Sequence, residues 1–129
     1  MDIKPVSSES LDAFKKSQNE IVRRATQLAL EQKHSISHHG DRAESILQQG
    51  YEMTARMIEP ALTLGDVVLL KDQLDWAKSH LPNEGVLPKH VYEQLRLFKQ
   101  AVEETLPQSH SNEIAPYIEW MIEYQRTLL

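Results

Sequence analysis

The stretch SESLDAFKKSQNEIVRRATQLALEQK, residues 8–33, decides the fold class. Leu11, Phe14, Ile21, Val22, Ala25, Leu28 and Ala29 recur at spacings of three and four, which places them along one side of a 3.6-residue helix, with the charged residues on the other. Ser7 or Ser8 supplies a hydroxyl that can accept the first unpaired backbone N–H groups, so the reading is an amphipathic helix from Ser8 to Lys33 behind a short lead-in, residues 1–7.

The same period continues along the chain. Ala43, Ile46, Leu47, Tyr51, Met57, Ile58, Ala61 and Leu62 mark a second helix, capped by Asp41 and weakened at Gly50 and Pro60. Pro60 lacks the N–H needed by the preceding turn, which predicts a kink or an early new start there. Leu64-Gly65-Asp66 reads as a helix stop followed by an N-cap. A third helix then runs from about Asp66 to His80 on Leu69, Leu70, Leu74 and Ala77. PNEGVLP at 82–88 is the clearest loop. Val91, Leu95, Phe98, Ala101, Val102 and Leu106 mark a fourth helix that stops before Pro107. Ser109 to Asn112 supplies a cap for a last helix carrying Ile114, Tyr117, Ile118, Met121, Ile122 and Leu128, with Pro116 tolerable in its first turn. The expectation is an all-α, single-domain bundle of about five helices over residues 8–129, with little raw material for a sheet.

Composition narrows the functions. The chain has 129 residues, the size of one domain, with 40% hydrophobic and 26% charged residues, a mixture that folds. A formal charge of −5, with basic residues interspersed among acids, disfavours nucleic acid. No apolar run approaches the ~20 residues that cross a bilayer, and residues 1–6 hold no signal-peptide core, so a cytoplasmic protein without a membrane role is expected. The absence of cysteine removes disulfides, thiolate metal sites and thiol catalysis.

Nothing in the chain composes a catalytic signature, and the expectation is a non-enzymatic protein with no cofactor. Ser, His and Asp are present without a Gly-x-Ser-x-Gly elbow or comparable motif to gather them. His34, His38 and His39 are the most metal-like group, since His34 and His38 could share one face of a helical turn. Two serines and Gly40 make the segment read as a solvated linker instead. The lone Glu31-x-x-His34 pair lacks the second such pair that a di-metal bundle needs. His80 and His90 flank the loop, where an axial haem ligand could sit; the plainer reading is a helix C-terminal cation and a surface residue. Glu103-Glu104 and Glu119 with Glu123 read as solvated helix faces.

Trp76 and Trp120 stand at the margins of apolar stripes, where large apolar area with one polar handle suits a partner surface. The last helix has the widest arc. Tyr117, Trp120, Met121 and Tyr124 extend its stripe and form the candidate partner-binding face, with a second copy of the chain as one partner.

Taken in order, Glu20-Ile21-Val22-Arg23-Arg24, Gly40-Asp41-Arg42-Ala43, Ala61-Leu62-Thr63-Leu64-Gly65-Asp66, Leu74-Asp75-Trp76-Ala77-Lys78, Gly85-Val86, Leu106-Pro107 and Pro116-Tyr117-Ile118 give the chain a character that resembles the helical module preceding cobalamin-binding domains in some bacterial regulators. The resemblance implies a helical regulatory or sensory domain that passes a signal to a neighbour. These residues contain no Asp-x-His-x-x-Gly cobalamin-ligand motif and no flavodoxin-like half, so cobalamin binding is not carried over and no binding residue is transferred.

Three functions follow as expectations. The first is a regulatory or protein-interaction module in bacterial signalling, acting through the last helix as a homodimer or with another protein. The second is a small-ligand sensor of globin-like kind, with Met53, Met57, Phe98 and the tryptophans lining a pocket for a tetrapyrrole or lipid. The third is a metal-binding bundle using His34, His38 and His39.

Overall fold

A computed structural model describes residues 3–32 and 42–129. Five α-helices follow in order: α1 Ser8–Glu31, α2 Ala43–Leu64, α3 Val68–His80, α4 Pro88–Thr105 and α5 Gln108–Thr127, with a 3₁₀ turn over Leu81–Glu84 before α4. There is no strand among the described residues, and no helix there is long and apolar enough to cross a membrane. The all-α bundle expected from the periodicity is what forms.

Each helix boundary has a local cause. The Ser7 hydroxyl accepts the Ser10 N–H at 3.2 Å and so starts α1. α2 ends at Gly65, whose φ of 67° is left-handed and whose N–H donates to the Ala61 carbonyl at 2.8 Å. A side chain there would be strained, and its Cβ would come within 2.8 Å of Pro5, so the glycine also lets the N-terminal segment lie close. The Asp66 carboxylate then accepts the Val68 N–H at 2.8 Å, the capping role expected of it. Pro88 occupies the first turn of α4, where its missing N–H has no helical partner to lose.

The new helix start that Pro60 could have imposed does not occur, and Pro116 is not in a first turn. α2 continues unbroken through Pro60 to Leu64. Pro60 lies on an exposed face, where the orphaned carbonyl of the previous turn is open to water. α5 begins at Gln108, because the turn after Pro107 is already helical, with the His110 and Ser111 amides donating to the Pro107 carbonyl. The helix starts within the stretch read as its cap, and Pro116 falls inside α5 rather than in its first turn.

α1 packs on both α2 and α4, α4 packs on α5, and α3 leans on α2 and α5. The core collects Phe14, Ile21, Ala25 and Ala29 from α1, Leu47, Tyr51, Ile58 and Leu62 from α2, Leu95, Phe98 and Ala101 from α4, and Ile114, Tyr117, Ile118 and Met121 from α5. The lead-in is part of this packing. Ile3 and Val6 rest on the core, and the Tyr117 hydroxyl donates to the Lys4 carbonyl at 2.9 Å. At the far end of α5, the Gln125 amide donates to the Pro88 carbonyl at 3.0 Å.

Ile118 is fully buried and Trp76 is 47% exposed, so truncating them should separate core from surface. Ile118→Ala is expected to lower the unfolding free energy by about 2–5 kcal/mol, as large-to-small core changes do. Trp76→Ala should cost well under that in the same urea titration.

Candidate functional site

The face expected on α5 divides when the helix is packed. Tyr117 and Met121 are fully buried, because they point with Ile114 and Ile118 between α1, α4 and the N-terminal segment; they are core residues, not partner-binding surface. Trp120 and Tyr124 lie on the flank, partly exposed, with their rings stacked at 5.3 Å. Tyr124 is tied down further. Its hydroxyl donates to Asp75 on α3, and Lys71 pairs with Asp75 at 3.0 Å while lying over the Tyr124 ring at 5.7 Å. The Tyr124 hydrogen bond, then Lys71, hold the Asp75 carboxyl below its usual range. Trp76 stands beside Asp75 on α3, stacked on His80 at 4.5 Å.

The histidines separate similarly. His34, His38 and His39 lie outside the described residues. Among the described residues, no group of three or more His, Cys, Asp or Glu could hold a metal ion. Glu31 is exposed and faces Arg24 at 3.9 Å. His80 is in the last turn of α3, where a helix C-terminus favours a cation, and its Nδ1 lies 2.8 Å from the Trp76 carbonyl. His90 is not the surface residue expected. It is buried, and its Nδ1 accepts the Leu87 N–H at 3.0 Å, closing the first turn of α4.

A Ser–His–Glu cluster that the sequence does not announce joins the starts of α1 and α5. Ser10 Oγ lies 2.9 Å from His110 Nδ1 and donates to Glu113, which also accepts the Ser7 N–H at 2.8 Å and the Ser7 hydroxyl at 2.9 Å. The order is wrong for nucleophilic catalysis, in which the carboxylate orients the histidine and the serine is open to substrate. Here the carboxylate binds the serine directly, and Ser10 is fully buried. The cluster is a clasp between two helix starts. Three donors, the Ser10 hydroxyl first, hold the Glu113 carboxyl below its ordinary value.

One concave feature with a largely apolar lining is a groove of about 470 Å³ between α2, the α3 end with its 3₁₀ turn, and α4. Its walls are Ile46, Met53, Met57, Leu74, Leu81 and Val86, and its rim carries Arg42 and Glu84. Met53 and Met57 are where the ligand-pocket expectation placed them. Phe98 and the tryptophans do not line it: Phe98 is buried against Tyr51, with ring centroids 6.4 Å apart.

Gln94 and Gly50 give the groove its polar wall. Gln94 lines the groove and is only 6% exposed; among the described residues the fully enclosed side-chain atoms without a partner are the Tyr51 hydroxyl and Gln125 Oε1, so the Gln94 carboxamide is not sealed into the core. The carboxamide lies close over Gly50, where an added Cβ would stand 3.0 Å from Nε2, 3.3 Å from Oε1 and 3.4 Å from Cδ. Thr54, one turn along α2, returns its hydroxyl to the Gly50 carbonyl at 2.9 Å. The Tyr51 hydroxyl is buried without a partner in the core on the same stretch of α2, and burial drives its pKa well above the usual phenol value. The sequence carried a signal for this wall: a glycine inside a helical pattern, and a glutamine on the Val91–Leu95–Phe98 stripe of α4.

No protein-family model, no curated protein and no solved structure matches the chain.

The clasp makes a pH-dependent prediction. A carboxyl whose folded pKa is depressed contributes stability above its unfolded value, here 4.5, and loses it as pH falls through the folded value. Glu113→Gln should lower the melting temperature at pH 7. The gap between variant and wild type should narrow as pH falls below 4.5. A gap constant with pH would place the effect in packing rather than charge.

Proposed function

We propose that this chain is a non-enzymatic regulatory module whose input is a small amphipathic molecule held in the groove between α2, α3 and α4. The observation that carries this reading is the pairing of a largely apolar groove of about 470 Å³ with the Gln94 carboxamide on its wall, on a residue only 6% exposed. Ligand pockets of ~300–1,000 Å³ with mostly apolar walls and a few placed polar groups are the usual form for small-molecule sites. The groove lining offers recognition chemistry: two carboxamides, Gln49 and Gln94, a threonine hydroxyl engaged by its own helix, two thioethers and one charge of each sign at the rim. Thioether side chains adapt to irregular apolar shapes, which suits Met53 and Met57 to a ligand wall. A regulatory role is also what the resemblance to modules preceding cobalamin-binding domains implies.

A second reading, a docking module, draws on Trp76. Trp76 is exposed on α3, and the stacked Trp120 and Tyr124 are partly exposed on α5, so both helices present aromatic area. Under this reading a second copy or another protein covers that area. Trp120→Glu should then shift a sedimenting dimer to monomer with helix content unchanged. A wild-type monomer at high micromolar concentration removes the self-association form of this reading.

The groove reading is tested with an environment-sensitive apolar dye. The wild type should bind the dye with enhanced, blue-shifted emission. Val86→Trp and Met57→Trp, which fill the groove, should each weaken binding by about tenfold or more, equivalent to ~1.4 kcal/mol, with unchanged circular dichroism. Undiminished dye binding in both variants would place the dye elsewhere and remove the groove from the function.

A further inference from the structure

Resting on that groove reading, we infer that the ligand presents a neutral amide-type edge, a hydrogen-bond donor beside an acceptor, to Gln94, with an alkyl or aryl body along Met53, Met57, Leu74 and Leu81. Two departures from local preference meet at one place in the groove. A glycine inside a helix is unfavourable relative to alanine. Gln94 puts a carboxamide on the wall of the groove, on the stripe of α4 where Val91, Leu95 and Phe98 are apolar. Gly50 and Gln94 are in contact, so the glycine makes room for the carboxamide. A leucine at residue 94 would continue the apolar stripe of α4.

The chemistry of the carboxamide selects its partner. Gln94 offers one acceptor oxygen and two N–H donors. Nε2 and Oε1 would stand 3.0 Å and 3.3 Å from a Cβ added at Gly50, so both ends of the amide lie close over that glycine on the groove wall. A carboxylate would satisfy the N–H donors and set its negative charge against Oε1. An ammonium would satisfy Oε1 and face the N–H donors. A hydrocarbon would leave both ends unpaired. Primary amides, lactams and imides carry a donor and an acceptor side by side and match both ends at once.

Charge on the ligand is disfavoured independently. The walls at this depth are Ile46, Leu74, Leu81 and Val86, which do not compensate a desolvated charge. Arg42 and Glu84 share the rim with opposite signs, so the entrance favours neither ion.

The test uses octanamide, octanoate and octylamine, three chains of matched length with different heads, each displacing the groove-bound dye from the full chain. Octanamide should bind the wild type about tenfold or more tighter than the other two, because a site built to hydrogen-bond a group rejects analogues that lack it. Gln94→Met, similar in volume and without the amide, should erase that preference while the dye still binds. In the wild type, adding octanamide should shift the Gln94 side-chain NH₂ resonances, a readout that does not depend on the variant folding. Equal affinity for the three chains, a preference kept in Gln94→Met, or unmoved Gln94 resonances at saturation would each overturn the inference while the dye result leaves the groove reading standing. If the dye and all three chains fail to bind the folded wild type, both fall.

Discussion

The burial of α1 between α2 and α4 is the constraint on which the rest of the structure depends. α1 presents Ile21, Ala25 and Ala29 to two neighbours at once, and Ala55 and Ala61 on α2 and Ala101 on α4 are equally enclosed. Alanine at such contacts lets helix backbones approach without voids, and a close-packed interior tolerates little change in that spacing. With α1 lying between them, α2 and α4 touch each other only sparingly. On the side away from α1, the separation has to be filled by something else. α3 and its 3₁₀ turn fill it in part, and the groove is what they leave.

The N-terminal segment completes the bundle from the opposite side. Ser7 caps α1, and the same residue donates its N–H and its hydroxyl to Glu113 in the first turns of α5. Tyr117 reaches the Lys4 carbonyl one turn later, and Pro5 lies over Gly65 at the end of α2. One short N-terminal segment thus joins the start of α1, the start of α5 and the end of α2. This explains why Tyr117 is core: the segment that covers it comes from more than a hundred residues earlier in the chain, beyond the reach of any helix-periodicity argument.

The polar wall of the groove illustrates how local rules fail where a site has another purpose. Sequences that specify a fold are locally consistent, and departures without a structural gain point to function or strain. The Gly65 departure has a structural gain, a left-handed helix end closely overlain by Pro5. Gly50 has a normal helical conformation and gains only room for the Gln94 carboxamide. Gln94 in turn places its carboxamide on the groove wall. The contrast between two glycines of one helix separates a device of the fold from a device of the groove.

The sequence by itself determined what local physics governs. Apolar residues at spacings of three and four gave five helices, Ser7 started the first, Gly65 ended the second, Asp66 capped the third and Pro107 stopped the fourth. Each of these depends on neighbours within a turn. The prolines were harder, since whether Pro60 and Pro116 interrupt a helix depends on what the tertiary packing around them favours, and both helices run through. Tertiary structure alone decided which stripe residues are core and which are surface. Periodicity orients Tyr117, Trp120, Met121 and Tyr124 on α5, but the width of the buried arc is set by the helices and the extended segment laid against it. It also decided that Gly50 meets Gln94. Those two residues lie on different helices, and only the crossing of α2 and α4, fixed by their common packing on α1, brings a glycine on one under a carboxamide on the other.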